Sequence, residues 1–462
     1  MINNLEDTIA AIATPPGKGG IAIIRLSGKD ALRITGKLFE SNMEINAIEP
    51  KRAILGLIVD EQGFEIDEAI ITFYKAPNSY TKEDLVEINC HGGIFLSQKI
   101  LELAIQYGAR LAKPGEFTLR AFLNGRIDLA QAEAVADLIQ ARTSASVRAS
   151  YVQLTGKISK RINEISNVLL DYCSLLELEL DFSEEDVEFV ERIDFIKKLA
   201  MVKQELEQLF TTFQIGRIAR EGVKMVIAGK PNVGKSSLLN ALTREDRAIV
   251  TEIPGTTRDA LEVQLDINGF LFRVIDTAGI KETDDRIEQE GIRRAKKHLE
   301  TADIILHVFD GSLPITNDDR AIMAQIAEIS KTGVVRIVNK NDLARKIELE
   351  EIGHQVAPVI FISALHQSGI DNLERHIHDL VLNFDENIFT NDTIITNVRH
   401  WEILGQALES LKSALIEAEK GASSEFISLY LRDALDYLGQ ITGKVTSEDI
   451  LNNIFSKFCI GK

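Results

Sequence analysis

Cysteine is scarce in this sequence: Cys90, Cys173 and Cys459 are the only three in 462 residues, far apart and with no Cys-x-x-Cys pair. That excludes a disulfide framework and a cysteine zinc site, and it fits a reducing cytosol. Proline is also rare, at nine residues, with none between Pro114 and Pro231 and none after Pro358. Long stretches are therefore free to be helical. Basic charge is outnumbered, with 52 Lys and Arg against 70 Asp and Glu and a formal net charge of -18. This argues against a chain wrapped in nucleic acid or lying on an anionic membrane, so any RNA contact is local or shared with a partner. No run reaches the roughly 18 uncharged apolar residues of a spanning helix, and the first residues lack a basic segment followed by an apolar core. The expectation is a cytoplasmic protein without a membrane partner.

What is present is an ordinary globular composition, 45% hydrophobic and 26% charged, long enough for about three domains of roughly 150 residues. Residues 1–120 mix short β-branched runs (20–26, 53–59, 65–74 and 85–90) with helical patterns near 31–39 and 94–107, which predicts an α+β domain. Glu61, Gln62 and Gly63 separate two alternating runs, a hairpin signal. Residues 121–215 contain few glycines, and apolar side chains recur at three and four positions (Leu129, Ala132, Ala136, Ile139; then Leu169, Leu176, Leu180). The spacing predicts long helices in a bundle. The acidic stretch 176–191 reads as a solvated helical face. Residues 385–462 are again helix-patterned, as in Leu404, Leu408, Leu411 and Leu415. Between them, 216–384 alternates strands and helices in the manner of a parallel sheet with crossovers. The predicted architecture is multidomain, α/β and all-α, with one domain inserted into a discontinuous helical bundle.

The inserted segment carries the chemistry. Lys224 to Ala228 reads as a buried strand that runs into Gly229-Lys-Pro-Asn-Val-Gly234-Lys235-Ser236 and then a helix. This G-x-x-x-x-G-K-S pattern lets backbone N–H groups around Asn232, Val233 and Gly234 turn toward phosphate at the positive end of a helix. Lys235 reaches the β and γ phosphates, Ser236 offers its hydroxyl to Mg²⁺, and Ser237 follows. The motifs of a Ras-like P-loop GTPase domain come next in order. Asp276-Thr-Ala-Gly279 ends an apolar run, with the aspartate available to the Mg²⁺ shell and the Gly279 N–H to the γ phosphate. Asn339-Lys340-Asn341-Asp342 places a carboxylate where it can accept two hydrogen bonds from guanine. Ser363-Ala364 matches the short motif that backs the base. In Gly255-Thr-Thr-Arg-Asp259, Thr257 is the candidate second Mg²⁺ ligand. Ile280 stands where Ras has its water-orienting glutamine, so hydrolysis must draw its water-aligning group and its balancing cation from elsewhere.

Together with the amino end Ala13-Thr-Pro-Pro-Gly-Lys-Gly-Gly20 and the ending Phe458-Cys-Ile-Gly-Lys462, these features mean that the whole chain resembles the MnmE (TrmE) family of tRNA-modification GTPases. The resemblance implies a homodimer that works with the flavoprotein MnmG (GidA) to place an aminomethyl or carboxymethylaminomethyl group on the 5-position of the tRNA wobble uridine. It implies K⁺ held by Asn232 with Thr251, Ile253 and Thr256, of which Thr251 and Thr256 also join the GTP contacts. Glu288 matches the glutamate that aligns water when two GTPase domains meet. The amino-terminal domain resembles tetrahydrofolate-binding domains, and a 5-formyl- or methylene-type tetrahydrofolate derivative is implied at Arg25, Glu87, Arg126 and Lys462. Read without the family, Arg25 and Glu87 are charged residues at strand ends. Cys459 is either a nucleophile or acid in the uridine chemistry or an inert packed thiol. Cys90 and His91 point to opposite faces of a strand and read as structural. The alternative of another class is an Era-like ribosome-assembly GTPase without modification activity, but no KH-type G-x-x-G loop on a basic surface follows residue 385.

Overall fold

The computed structural model describes residues 6–181, 191–243, 262–276, 296–329, 333–353, 359–384 and 393–461. They form two compact units, one of Met1–Ile139, Gln153–Glu207 and Glu402–Lys462, the other of Gln140–Val152 and Gln208–Trp401.

The first unit opens with strands β1 (Ile9–Ile12), β2 (Ile21–Ser27), β3 (Phe39–Glu40), β4 (Ala53–Val59), β5 (Glu65–Tyr74), β6 (Leu85–His91) and β7 (Arg110–Leu111), in the sheet order β3-β4-β5-β6-β2-β1-β7. All pairs are antiparallel except β1 with β7. Alternation sets the two faces. Ala22, Ile24 and Leu26 of β2 and Val86, Ile88 and Cys90 of β6 face a core shared with Ile34, Leu38, Ile100 and Leu103 of helices Ala31–Leu38 and Ile94–Gln106. The other face carries Ile21, Arg25, Glu87 and Ile70. Arg25 pairs directly across from Glu87. Both therefore lie inside their strands and not at strand ends, because β2 and β6 each extend two or more residues beyond them. The hairpin between β4 and β5 is closed by Asp60, whose Oδ1 accepts from the N–H groups of Gln62 (2.9 Å) and Phe64 (3.0 Å). Cys90 is buried and donates weakly to the Ala22 carbonyl, while exposed His91 bonds Asp67 at 2.6 Å, so the pair does split across the strand.

The helical part of this unit is built on stripes of period near 3.5. Ile158, Ile162, Ile165, Leu169, Cys173 and Leu176 line helix Lys157–Asp181, and Ile427, Leu431, Ala434, Leu438 and Ile441 line helix Ser424–Thr442. These two helices pack together extensively. Of the acidic stretch, residues 182–190 lie outside the described residues.

The second unit is a six-stranded sheet of β8 (Val223–Ala228), β9 (Glu262–Ile267), β10 (Phe270–Asp276), β11 (Ile304–Asp310), β12 (Gly333–Asn339) and β13 (Val359–Phe361), ordered β13-β12-β11-β8-β10-β9. Every pair but β9 with β10 is parallel. β8 is buried on both sides, Val223, Met225 and Ile227 in one core and Val226 and Ala228 in the other, as expected for a parallel strand covered on both faces. The chain leaves β8 for one side of the sheet and later returns on the other, so the loop after β8 sits at the topological switch point, where ligands of open α/β sheets bind.

A buried ionic cluster braces the first unit. Arg120, fully buried in helix Glu116–Leu123, donates to Asp7 Oδ1 (2.7 Å), Glu116 Oε1 (3.2 Å), Glu83 Oε2 (3.1 Å) and the Asp7 carbonyl (2.8 Å). Arg110 binds the same Asp7 and Glu116. Burial alone would raise the pKa values of Asp7 and Glu116, but the guanidinium hydrogen bonds outweigh it and hold both below their ordinary 3.8 and 4.5. A lowered folded-state pKa means stabilisation that is complete above those values and lost as pH falls through the lowered ones. Arg120→Met leaves buried carboxylates short of a partner and should cost about 3–5 kcal/mol. Calorimetric melting should show that loss near neutral pH, together with a shallower fall in stability between about pH 5 and pH 3 than in the parent.

Candidate nucleotide site and a cationic cluster on the N-terminal sheet

The loop after β8 is shaped by residues with positive φ: Gly229 (+150°), Asn232 (+64°) and Gly234 (+97°). Glycine is required at two of these for reasons of space. A Cβ on Gly229 would stand 2.5 Å from the Val308 carbonyl, and one on Gly234 would stand 2.2 Å from Asn339 Nδ2. Helix Lys235–Leu242 starts directly after the loop, so its positive dipole end faces the loop. The Lys235 ammonium folds back over the loop and donates to the carbonyls of Gly229 (2.7 Å) and Lys230 (2.9 Å). Ser236 stands next in the first turn of that helix.

The guanine-side motif is locked to this loop by one buried side chain. Asn339, at the end of β12, donates through Nδ2 to the Val233 carbonyl (2.8 Å) and accepts through Oδ1 from the Ala364 N–H (3.0 Å). Lys340 donates to the Asn232 carbonyl (3.1 Å) and to Asp310 (2.6 Å). Asp342 accepts from the Ser363 hydroxyl at 2.5 Å, and that bond holds its carboxyl below the ordinary range, keeping it an acceptor. Asn232–Ser237, Asn339, Lys340, Asp342, Ser363 and Ala364 are thus brought into one site. Asp276 closes β10 beside Ile227. Thr251, Ile253, Thr256, Thr257, Gly279 and Glu288 lie outside the described residues.

Two carboxylates were not singled out from the sequence. Asp310, at the end of β11, is nearly buried and also accepts from Ser312; burial would raise its pKa, but the Lys340 and Ser312 bonds prevail and lower it. Asp319 caps helix Asn317–Glu328 in a capping box with Thr316 and binds Lys230 of the phosphate loop at 2.8 Å; its pKa is lowered in the same way. The spacing Thr316-x-x-Asp319 ahead of a helical run carries that signal in the sequence.

Beside the N-terminal sheet, Arg25 and Arg126 converge on Tyr80, a residue no sequence pattern flagged, and Glu87 pairs with Arg25. Arg25 donates from Nε (3.0 Å) and Nη2 (2.6 Å) to Glu87 Oε1. Its guanidinium carbon lies 5.6 Å from the Tyr80 ring centre and 5.8 Å from that of Phe117. Arg126 covers the same Tyr80 ring at 4.6 Å and donates to the Tyr80 carbonyl at 3.0 Å. Two cations over aromatic faces beside a carboxylate suit a flat polar heterocycle with an acidic tail. The carboxyl-terminal tail is seated in the same unit. The Cys459 carbonyl accepts from Gly115 N–H (3.4 Å), and a Cβ on Gly461 would stand 2.3 Å from the Ile12 carbonyl. Cys459 is exposed, which removes the packed-thiol reading, and Lys462 lies outside the described residues.

Asn339→Ala removes both buried bonds and strands the Val233 carbonyl and the Ala364 N–H, each at about 1–3 kcal/mol. Titration with a fluorescent GDP analogue should show affinity at least about tenfold weaker. An unchanged affinity would mean that the loops hold their geometry without this side chain.

Two family models match the chain: "GTP-binding protein TrmE N-terminus" over residues 8–126 and "MnmE helical domain" over residues 129–459. Similar curated proteins include the "tRNA modification GTPase MnmE" of Clostridioides difficile (strain 630), 44% identical over 99% of this chain and 100% of that protein. The protein of the same description from Alkaliphilus metalliredigens (strain QYMF) is 45% identical over 99% and 100%. Among solved structures, Aquifex aeolicus Era bound to GDP and aluminium fluoride matches 41% of this chain and 66% of that one at 27% identity, with TM-score 0.29. The Methanococcus jannaschii FeoB G domain matches 34% and 97% at 23% identity, with TM-score 0.26. Family models that together run from residue 8 to residue 459, and full-length relatives at this identity, show that the chain belongs to the MnmE (TrmE) family.

Proposed function

We propose that this protein hydrolyses GTP in the service of tRNA modification and, with the flavoprotein MnmG (GidA), adds an aminomethyl or carboxymethylaminomethyl group to the 5-position of the wobble uridine. The observation that carries the reading is the assembled guanine-nucleotide site, Lys235 to Asp342 to Ser363, in a chain that aligns end to end with proteins described as tRNA modification GTPases. The domain plan in this reading is 1–120 for folate binding and dimerisation, 121–215 and 385–462 for the helical domain, and 216–384 for the GTPase.

The residues present suit the implied cofactors. Ser236 and Thr257 would hold Mg²⁺, and Asn232, Thr251, Ile253 and Thr256 would hold K⁺; bound there, the two ions neutralise charge on the phosphates. Lys235 binds phosphate, Asp342 and Ser363 select guanine, and Glu288 orients water when two GTPase domains meet. Arg25, Glu87, Arg126 and Lys462 bind the tetrahydrofolate derivative. Dimerisation is supported by the open face of the N-terminal sheet, where Leu55 and Ile70, paired across β4 and β5, are 60% and 42% exposed and Ile21 of β2 is 66% exposed. A cytoplasmic setting is supported by three free thiols, and among the described residues no helix is long and apolar enough to cross a membrane.

Mass spectrometry of tRNA wobble nucleosides tests the reading directly. Cells lacking this protein should lose the modified uridine and regain it with the wild-type gene but not with a gene lacking Cys459 to Lys462. Unaltered nucleosides in the deleted cells would refute the modification role. Hydrolysis should be faster in K⁺ than in Na⁺ at matched ionic strength, and equal rates would refute the monovalent-cation assignment.

A further inference from the structure

A cleft of about 600 Å³ opens in the first unit between two turns that are more than 300 residues apart in sequence, one around Arg126–Asp128 and one at Gly443–Thr446. Its volume lies within the range of small-molecule and single-nucleotide sites, about 300–1,000 Å³. One wall is apolar, formed by Phe122, Ile127 and Leu451, which belong to a packed cluster with Leu119, Leu129 and Phe455. The polar side is cationic. Arg126 lines it with its guanidinium already fixed over Tyr80, and exposed Lys444 lines it from the opposite turn. Lys82, anchored on the Gly125 carbonyl at 2.9 Å, adds a third cation at that turn. The lining carboxylate, Asp128, is engaged with Gln131, each side chain bonding the other's backbone N–H (2.8 and 3.0 Å).

We infer that this cleft is where the protein grips one unpaired nucleotide of its RNA, with the base against the Phe122–Ile127–Leu451 wall and the phosphate between Lys444 and Arg126. The inference rests on the tRNA reading above and extends it to particular residues. Single-stranded loops are the usual targets of sequence-tolerant RNA contact, through a cation on the phosphate and an apolar or aromatic surface under the base. The acidic balance of the chain makes such a contact a local one, and two cations line this cleft, with Lys82 held on the Gly125 carbonyl of the same turn.

The test uses the full chain and an unmodified anticodon stem-loop RNA, with binding measured by fluorescence anisotropy across a salt series. Lys444→Gln should weaken binding about tenfold and reduce the slope of log K against log salt by about 0.7, as expected when one single-strand phosphate contact is lost. Lys444→Arg should restore both. Tetrahydrofolate affinity, measured in parallel, should stay constant in both variants. RNA binding equal to wild type in Lys444→Gln overturns the inference, and a variant that loses tetrahydrofolate instead assigns the cleft to the acidic tail of that ligand. Failure of the wild-type chain to bind the RNA at all would overturn the tRNA reading itself. Because Lys444 is exposed, melting temperatures should be unchanged, and a lowered value would mark the binding loss as misfolding.

Discussion

The nucleotide site depends on one carboxamide. Asn339 fills the space that Gly234 leaves open, and its two buried hydrogen bonds hold together the phosphate loop, the end of β12 and the turn at Ser363–Ala364. These segments are over 100 residues apart at the extremes, and no local propensity would bring them to within 3 Å. With that bridge in place, Lys340 can reach both the Asn232 carbonyl and Asp310, and Asp342 is set by Ser363 as an ionised acceptor. The Asn339–Asp342 segment is thereby tied to the loop after β8. Lys230 and Asp319 add a second tie, from the loop to the cap of helix Asn317–Glu328.

The two units use charge differently. In the N-terminal unit the Arg110 and Arg120 guanidinium groups are spent on Asp7, Glu83 and Glu116, a closed cluster with a structural task. Arg25 and Arg126 instead lie over the Tyr80 ring, Arg25 paired with Glu87 and Arg126 lining a cleft. In the GTPase unit the carboxylates Asp310 and Asp319 fix the lysines of the loop and of the base motif, leaving Lys235 to cover the phosphate cradle. A chain with net charge -18 therefore keeps small local groups of cations.

Much of this was legible in the sequence, and the remainder was not for identifiable reasons. β4 and β5 coincide with the alternating runs 53–59 and 65–74, because a period of two and a turn at Glu61–Gly63 are local signals. The phosphate loop and the base motif were readable because each needs fixed residue types at fixed spacing. β1, β3 and β7 are two to four residues long, too short to show a period, and exist through pairing with neighbours. Tyr80 lies in a polar turn, and its role emerges only when Arg25 and Arg126 arrive from distant segments. Arg25 and Glu87 were visible as charges, but their pairing is a fact of register between β2 and β6. The exposure of Cys459 likewise follows from how the tail lies on Gly115 and β1, which no window of sequence contains.

The central claim is that one site selects guanine through Asp342, in a pocket organised by Asn339 and Ser363. Calorimetric titration of the wild-type chain and Asp342→Asn with GDP and with xanthosine diphosphate measures it most directly. The exchange turns an acceptor oxygen into a donor amide and should reverse the preference, because xanthine presents the complementary group. GDP tight in wild type and weak in the variant, with xanthosine diphosphate the other way round, is the predicted result. GDP affinity unchanged by the substitution would contradict the account.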